Sequence, residues 1–260
     1  MGILNITPDS FFDGGRYLDP DAAGAQALRL VEEGADILDL GAESTRPGAL
    51  PVTSPEELKR LLPVLARVRK EVQVPISIDT VRPEVARECL EAGADIINDV
   101  SGLKRSGTDM AKVVKKFGAG LVLMHSRGTP ETMQSMTRYE DVAIDVMDEL
   151  RESVRIAADA GIERERIVVD PGLGFSKTPE QNLEILKKIG IFRELGFPVL
   201  AGPSRKSFIG KVTGREAKDR MLGTAACVAA CVKEGVQILR VHDVGGMRDV
   251  VLMTEAIKGD

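Results

Sequence analysis

Glu91-Ala92-Gly93-Ala94-Asp95-Ile96-Ile97-Asn98-Asp99-Val100 is the stretch on which the fold turns. A helical segment stops on glycine, a short apolar run without alternation follows, and the run ends in polar side chains. Glycine suits the helix end because it enters the left-handed region without a Cβ penalty. The unalternating run is what a strand buried on both faces requires.

Worked outward, the same unit recurs along the chain. Gly34-Ala35-Asp36, Gly118-Ala119-Gly120 and Gly235-Val236-Gln237 close other helical segments. Polar side chains follow further apolar runs at Asn5, Asp39, Asp79, His125, Asp170, Ser204 to Lys206 and Arg240 to Asp243. Helical spacing is read over Ala22 to Glu33, Glu56 to Lys70, Pro83 to Glu91, Asp109 to Lys116, Asp141 to Asp159, Glu180 to Lys188, Glu216 to Lys233 and Gly246 to Lys258. Eight βα units in 260 residues predict an α/β chain forming a single (β/α)8 barrel over residues 1–260, with no linker. An open dinucleotide-binding sheet is disfavoured, because no G-x-G-x-x-G follows the first strand.

A barrel places its site at the C-terminal ends of the strands, so the polar ends converge on one pocket. Asp79, Asn98 and Asp170 are short acceptors at the ends of apolar strands, and each would cost about 1 to 3 kcal/mol if buried without a partner. An amino-pyrimidinone edge, as in a pterin or guanine, would satisfy them. Period two puts Arg240 and His242 on one side of the last strand, a pairing suited to phosphate or diphosphate. Gly202-Pro203-Ser204-Arg205-Lys206-Ser207 follows the seventh strand, where barrels often hold phosphate. Thr7 to Gly15, with Phe11 and Phe12, and Ala42 to Ala49 read as long loops, the first suited to a lid that excludes water. His125 is balanced between a ligand role and a structural one.

The net charge of -5 and the absence of a basic stripe with interleaved aromatics argue against nucleic acid, leaving a small-molecule ligand. No apolar run approaches a membrane span and no secretory signal opens the chain, so no membrane association and a cytoplasmic location are expected. Cys89, Cys227 and Cys231 lack C-x-x-C spacing; the latter two are expected to pack against the barrel.

The ordered motifs Asn5-Ile6-Thr7-Pro8-Asp9-Ser10-Phe11, Glu43-Ser44-Thr45-Arg46-Pro47-Gly48, Ser77-Ile78-Asp79-Thr80, Ile97-Asn98-Asp99-Val100-Ser101-Gly102, Asp170-Pro171-Gly172-x-Gly174-Phe175 and Gly202-x-Ser204-Arg205-Lys206-Ser207 resemble those of dihydropteroate synthases, a family of pterin-binding enzymes. The likeness runs from the first strand to the final helix. It implies the (β/α)8 barrel, without the family's usual N-terminal hairpin. It also implies condensation of (7,8-dihydropterin-6-yl)methyl diphosphate with 4-aminobenzoate, assisted by Mg2+, in folate biosynthesis, and sensitivity of the site to sulfonamides.

Carried over motif by motif, the resemblance assigns the pterin to Asp79, Asn98, Met124, Asp170, Phe175 and Lys206. It assigns the diphosphate to Asn5, Thr45, Arg240 and His242, with Asn5 also near the metal. Phe11, Thr45, Arg46, Pro47, Lys206 and Ser207 would surround the aminobenzoate, with Ser204 and Arg205 nearby. Asp79, Asp170, Lys206, Arg240 and His242 would carry catalysis by SN1-like departure of diphosphate. A homodimer through the last helices is implied too. Two departures stand out: Met124-His125-Ser126 replaces Met-His-Met, and Phe12 stands where serine is common. A methyltetrahydrofolate-corrinoid methyltransferase module would keep Asp79, Asn98 and Asp170 but not need the Ser44 to Pro47 and Ser204 to Ser207 loops. A non-catalytic pterin-binding paralogue would be marked by loss of Lys206, Arg240 or His242, and all three are present.

Overall fold

The computed structural model describes residues 1–6, 19–44, 49 and 52–259. Among these, strands β1 (Gly2–Asn5), β2 (Leu38–Gly41), β3 (Ile76–Asp79), β4 (Ile96–Asp99), β5 (Gly120–Met124) and β6 (Ile167–Asp170) pair in chain order, all parallel. Strands β7 (Leu200–Ala201) and β8 (Ile238–Leu239) pair with each other. Parallel bridges Val169–Val199 and Gly2–Val241 join the two sets, with Val169 N donating to Pro198 O at 3.0 Å and Ile3 N to Val241 O at 3.0 Å. The ring therefore closes, and the expected eight-stranded barrel is the fold.

Helices α1 (Pro20–Glu32), α2 (Ser54–Glu71), α3 (Pro83–Glu91), α4 (Gly107–Phe117), α5 (Val142–Asp159), α6 (Pro179–Lys187), α7 (Ser207–Thr213), α8 (Met221–Lys233) and α9 (Val244–Lys258) surround it. Their ends follow local chemistry. Asp141 accepts from the backbone N–H groups of Ala143 and Ile144, and Thr178 with Gln181 forms a capping box at α6. Gly34, Gly93, Gly118 and Gly235 all adopt positive φ at the helix-to-strand turns.

Two boundaries differ from the sequence expectation. The single helix expected over Glu216 to Lys233 is a 3-10 turn, Ala217–Asp219, followed by α8. Between β7 and that turn lies α7, whose 7 residues are too few to display a 3.6-residue period. The Arg220 guanidinium lies across Gly210, where an added Cβ would meet it at 2.4 Å, so the turn is shaped by a contact outside the local pattern.

Alternation along each strand sorts side chains to two sides. Leu38, Leu40, Ile76, Ile78, Ile97, Leu121 and Leu123 pack outward against Ala23, Ala27, Leu61, Leu65, Val85 and Ala86 of the helices. A second apolar cluster around Phe192, Phe208, Ile185 and Val199 fills the wall beneath β6 and β7. Cys89 and Cys231 are fully buried and Cys227 packs at the edge of the second cluster; burial pushes the Cys89 and Cys231 thiols up to about 12. The opposite set of strand residues faces the barrel interior and builds the site.

Candidate active site

Register aligns the inward-facing residues across neighbouring strands. Asn5 pairs with Gly41, Gly41 with Asp79, Asp79 with Asn98, and Met124 with Asp170. Asp99, one residue beyond Asn98, faces away. It is fully buried and accepts from Ser101 N at 2.8 Å, Ser101 Oγ at 2.6 Å and Ser106 Oγ at 2.8 Å, closing the loop before α4.

Arg240 joins this set from the strand that closes the ring. Its Nε donates to Asp39 Oδ2 at 2.7 Å, and its Nη2 lies 2.6 Å from the same atom and 3.1 Å from Asp79 Oδ2. Asn98 Nδ2 reaches Asp39 Oδ2 at 3.5 Å. Two buried carboxylates thus share one guanidinium. Asp39 holds it by two contacts and Asp79 by one, so Asp79 is the partner more easily released.

Burial holds the Asp79 carboxyl well above the usual carboxylate range, against the pull of Arg240 and with a push from Asp39. Burial likewise raises Asp170 to about 6, opposed by the Gly172 N–H and by Lys206. The Gly172 N–H donates to Asp170 Oδ1 at 2.7 Å. Gly172 has φ +69°, and a Cβ there would lie 2.0 Å from the His125 carbonyl oxygen, so this turn requires glycine. Met124 is buried beside Asp170, and the Lys206 ammonium lies 4.2 Å from the centre of the Phe175 ring. The six residues assigned to the pterin therefore stand on the inner ends of β3 to β6 and on the two loops after β6 and β7.

The described residues that the resemblance assigns to the diphosphate lie at the end of β1 and beyond the end of β8, with Ser204 after β7 beside them. His242 Nδ1 is 2.9 Å from Ser204 Oγ, and its Nε2 is 3.5 Å from Asn5 Nδ2. Burial, Arg240 and the neighbouring Arg205 and Lys206 push His242 down to about 3. His242 therefore offers hydrogen bonding without charge. Arg205, at φ +55°, directs its guanidinium to Asp243, with Nε 2.8 Å from Oδ2, and its N–H donates to Thr224 Oγ1 at 2.9 Å. It thus braces the loop after β7, while Lys206 supplies the cation to the pocket. Ser207 is exposed at the start of α7. Phe11, Thr45, Arg46 and Pro47 lie outside the described residues.

A pocket opens beside Asp79 and Phe175, lined also by Thr80, Ser101, Ser126 and Arg127. Concave, carboxylate-bearing and walled by an aromatic ring, the mouth of the barrel suits a flat polar heterocycle.

The family model described as pterin binding enzyme matches residues 1–242. A dihydropteroate synthase of Synechocystis sp. is 45% identical over 258 residues, spanning 99% of this chain and 89% of its own length. The Yersinia pestis dihydropteroate synthase, solved as a sulfonamide drug complex, superposes with a TM-score of 0.96 at 36% identity, covering 100% of this chain and 94% of that one. The Xanthomonas albilineans enzyme with 4-aminobenzoic acid gives 0.92 at 43% identity, covering 100% and 93%. The chain belongs to the dihydropteroate synthase family of pterin-binding enzymes. As a family member it is a transferase of alkyl groups other than methyl, which places the synthase reading ahead of the methyltransferase module.

Sequence reasoning counted Asp39 among the polar strand ends that converge on the pocket but gave it no role of its own. It also left His125 undecided. His125 is 1% exposed and belongs to a buried chain with Lys177 and Glu149. Nothing in local spacing shows which way the loop residue Lys177 turns.

Proposed function

We propose that this member of the family condenses (7,8-dihydropterin-6-yl)methyl diphosphate with 4-aminobenzoate to give 7,8-dihydropteroate and diphosphate. The observation that carries the reading is Arg240, whose guanidinium bonds the carboxylates of Asp39 and Asp79 and whose charge acts on His242, which in turn meets Asn5 and Ser204. One cation thus links the ring-binding acceptors to the leaving-group side. The aminobenzoate held by the Xanthomonas albilineans relative supports the second substrate.

In this reading the methylene C–O bond breaks first and its electron pair leaves on the diphosphate, neutralised by Arg240 and hydrogen-bonded by His242 and Asn5. Asp79 and Asp170 balance the positive charge left on the dihydropterin, and Lys206 with Phe175 fixes its ring. The arylamine lone pair then forms the C–N bond, and the amine gives up a proton to water or to the departing diphosphate.

Among the described residues no cluster of three or more acidic, histidine or cysteine side chains could form a metal cage. Mg2+ commonly keeps several waters and binds through one or two protein oxygens plus substrate phosphate, so the single amide oxygen of Asn5 at the end of β1 suits it. Asn5, beside His242, is the residue that would hold it. When bound, the ion supplies charge neutralisation at the leaving diphosphate.

The test is diphosphate release and dihydropteroate formation with the dihydropterin diphosphate and Mg2+, with and without 4-aminobenzoate. Dihydropteroate is expected only when all components are present, with slow diphosphate release in the absence of the arylamine. Removal of Mg2+ by chelation is expected to suppress both. A pterin that binds without yielding either product would sink the catalytic reading.

The family resemblance also suggests a homodimer, and the exposed apolar side chains Leu222, Met253 and Ile257 on the packed pair α8 and α9 support it. Leu222→Glu is expected to convert a dimer to a monomer in sedimentation; a wild-type monomer would overturn the assignment. Among the described residues no helix is long and apolar enough to cross a membrane, and we read the enzyme as cytoplasmic.

A further inference from the structure

We infer that Lys177, docked on His125, is a positioning residue that sets the pterin side of the site without touching the substrate. This rests on the reading of Asp170 and Phe175 as pterin contacts. The Lys177 side chain follows Phe175 in the loop between β6 and α6, yet it is 3% exposed and turns beneath that loop. Its ammonium lies 3.0 Å from the Gly172 carbonyl oxygen, 3.0 Å from the Phe175 carbonyl oxygen and 3.0 Å from His125 Nδ1. An ammonium has three N–H donors, and here each has an acceptor. Two of these acceptors are the carbonyls that bracket the turn carrying Phe175.

His125 is anchored in its turn. Its backbone N–H donates to the Asp170 carbonyl at 2.8 Å, and its Nε2 lies 3.2 Å from Glu149 Oε2. Glu149 is held by Arg127 at 2.5 Å and by Lys104. With Nδ1 receiving the Lys177 proton, the tautomer places the ring hydrogen on Nε2, towards Glu149. A chain of contacts thus runs from exposed Lys104 after β4, through half-buried Glu149 on α5, to buried His125 after β5 and buried Lys177 after β6.

The same loop is closed from its other side. The Gly174 N–H donates to Asn182 Oδ1 at 2.6 Å, and Asn182 Nδ2 donates to the Lys177 carbonyl at 3.3 Å. Ser176 exchanges hydrogen bonds of 2.7 Å with the backbone of Arg127. Within this frame the Lys177 ammonium ties together the carbonyls of Gly172 and Phe175 from below, and the Phe175 N–H also donates to the Gly172 carbonyl at 3.2 Å. Removing it frees the turn that aims the Gly172 N–H at Asp170 and sets the Phe175 ring against Lys206.

The three acceptors hold the ammonium against burial and the neighbouring cations. Burial lowers Lys177 to about 7, opposed by Asp170 and Glu149 and assisted by Arg127 and Lys104, and burial with Lys177 keeps His125 neutral at about 3. A neutral imidazole is the acceptor the ammonium needs. Residues that orient ligand-binding groups without contacting the ligand commonly cost 10- to 100-fold in affinity when removed.

The experiment compares Lys177→Met, His125→Leu and His125→Asn in the full-length enzyme by steady-state kinetics. Lys177→Met and His125→Leu are expected to raise KM for the dihydropterin diphosphate about tenfold or more, with KM for 4-aminobenzoate changed less than about twofold. His125→Asn places an amide oxygen near the position of Nδ1 and is expected to restore the pterin KM to within about threefold of wild type. Should Lys177→Met fail to fold, the contrast between the two His125 variants decides. Pterin KM values in folded Lys177→Met or His125→Leu equal to wild type would overturn the positioning role. A wild-type protein that makes no dihydropteroate would instead sink the functional reading beneath it.

Discussion

Replacing Arg240 with methionine is expected to lower dihydropteroate formation about 10³-fold, as loss of a preorganised charge partner at a developing anion does. The same change is expected to destabilise the fold by about 3 to 5 kcal/mol, because Asp39, fully buried, loses the guanidinium 2.6 Å away. The two effects are separable. The double variant Asp39→Asn with Arg240→Met removes the stranded charge, so thermal melting should return most of the way to wild type while turnover stays low. A single variant that melts like wild type would show that the Asp39–Arg240 pair does not hold this part of the barrel.

Acid sensitivity is the second large effect. Both Asp79 and Asp170 are pushed upward by burial, Asp170 to about 6, so the free enzyme carries them partly protonated near neutral pH. Stabilising a pterin cation requires them ionised. kcat/KM for the pterin substrate is therefore expected to fall about tenfold at pH 5 through Asp170 alone, and more steeply through Asp79. Asp170→Asn keeps an oxygen for the Gly172 N–H, so it is expected to fold while losing about 10² to 10³ in turnover.

Stability runs the opposite way through these groups. With folded-state pKa values raised, the folded chain binds more protons than the unfolded chain from about pH 4 to about pH 6 through Asp170 and to about pH 7 through Asp79. Their stabilising contribution is full below that window and is lost as pH rises through it. Asp170→Asn should flatten this component of the melting-temperature profile. A profile identical to wild type, or a pterin kcat/KM insensitive to pH between 5 and 7, would refute the raised carboxyl at this position.

The barrel was legible because its causes are local. Gly93 before Asp95-Ile96-Ile97, repeated at Gly34, Gly118 and Gly235, announces a helix end followed by a buried strand, and each of these glycines takes positive φ. Period two placed Arg240 and His242 on one side of the last strand, and position at the end of an apolar run marked Asp79, Asn98 and Asp170 as site acceptors. The short α7 was not legible, since one and a half to two turns carry no resolvable period.

Which charge meets which partner is another matter. Arg205 and Lys206 are adjacent cations in one loop, yet one braces Asp243 and the other faces Phe175. His125 stays balanced between a ligand and a structural role, and Lys177 carries no signal, until the loops after β5 and β6 are brought together. Spacing along the chain determined the βα repeat, its caps and the inward face of each strand, because those follow from φ, ψ and side-chain periodicity within a few residues. Closure of the barrel decided the rest: it carried Arg240 to Asp39, 201 positions away, and buried them as each other's charge partners.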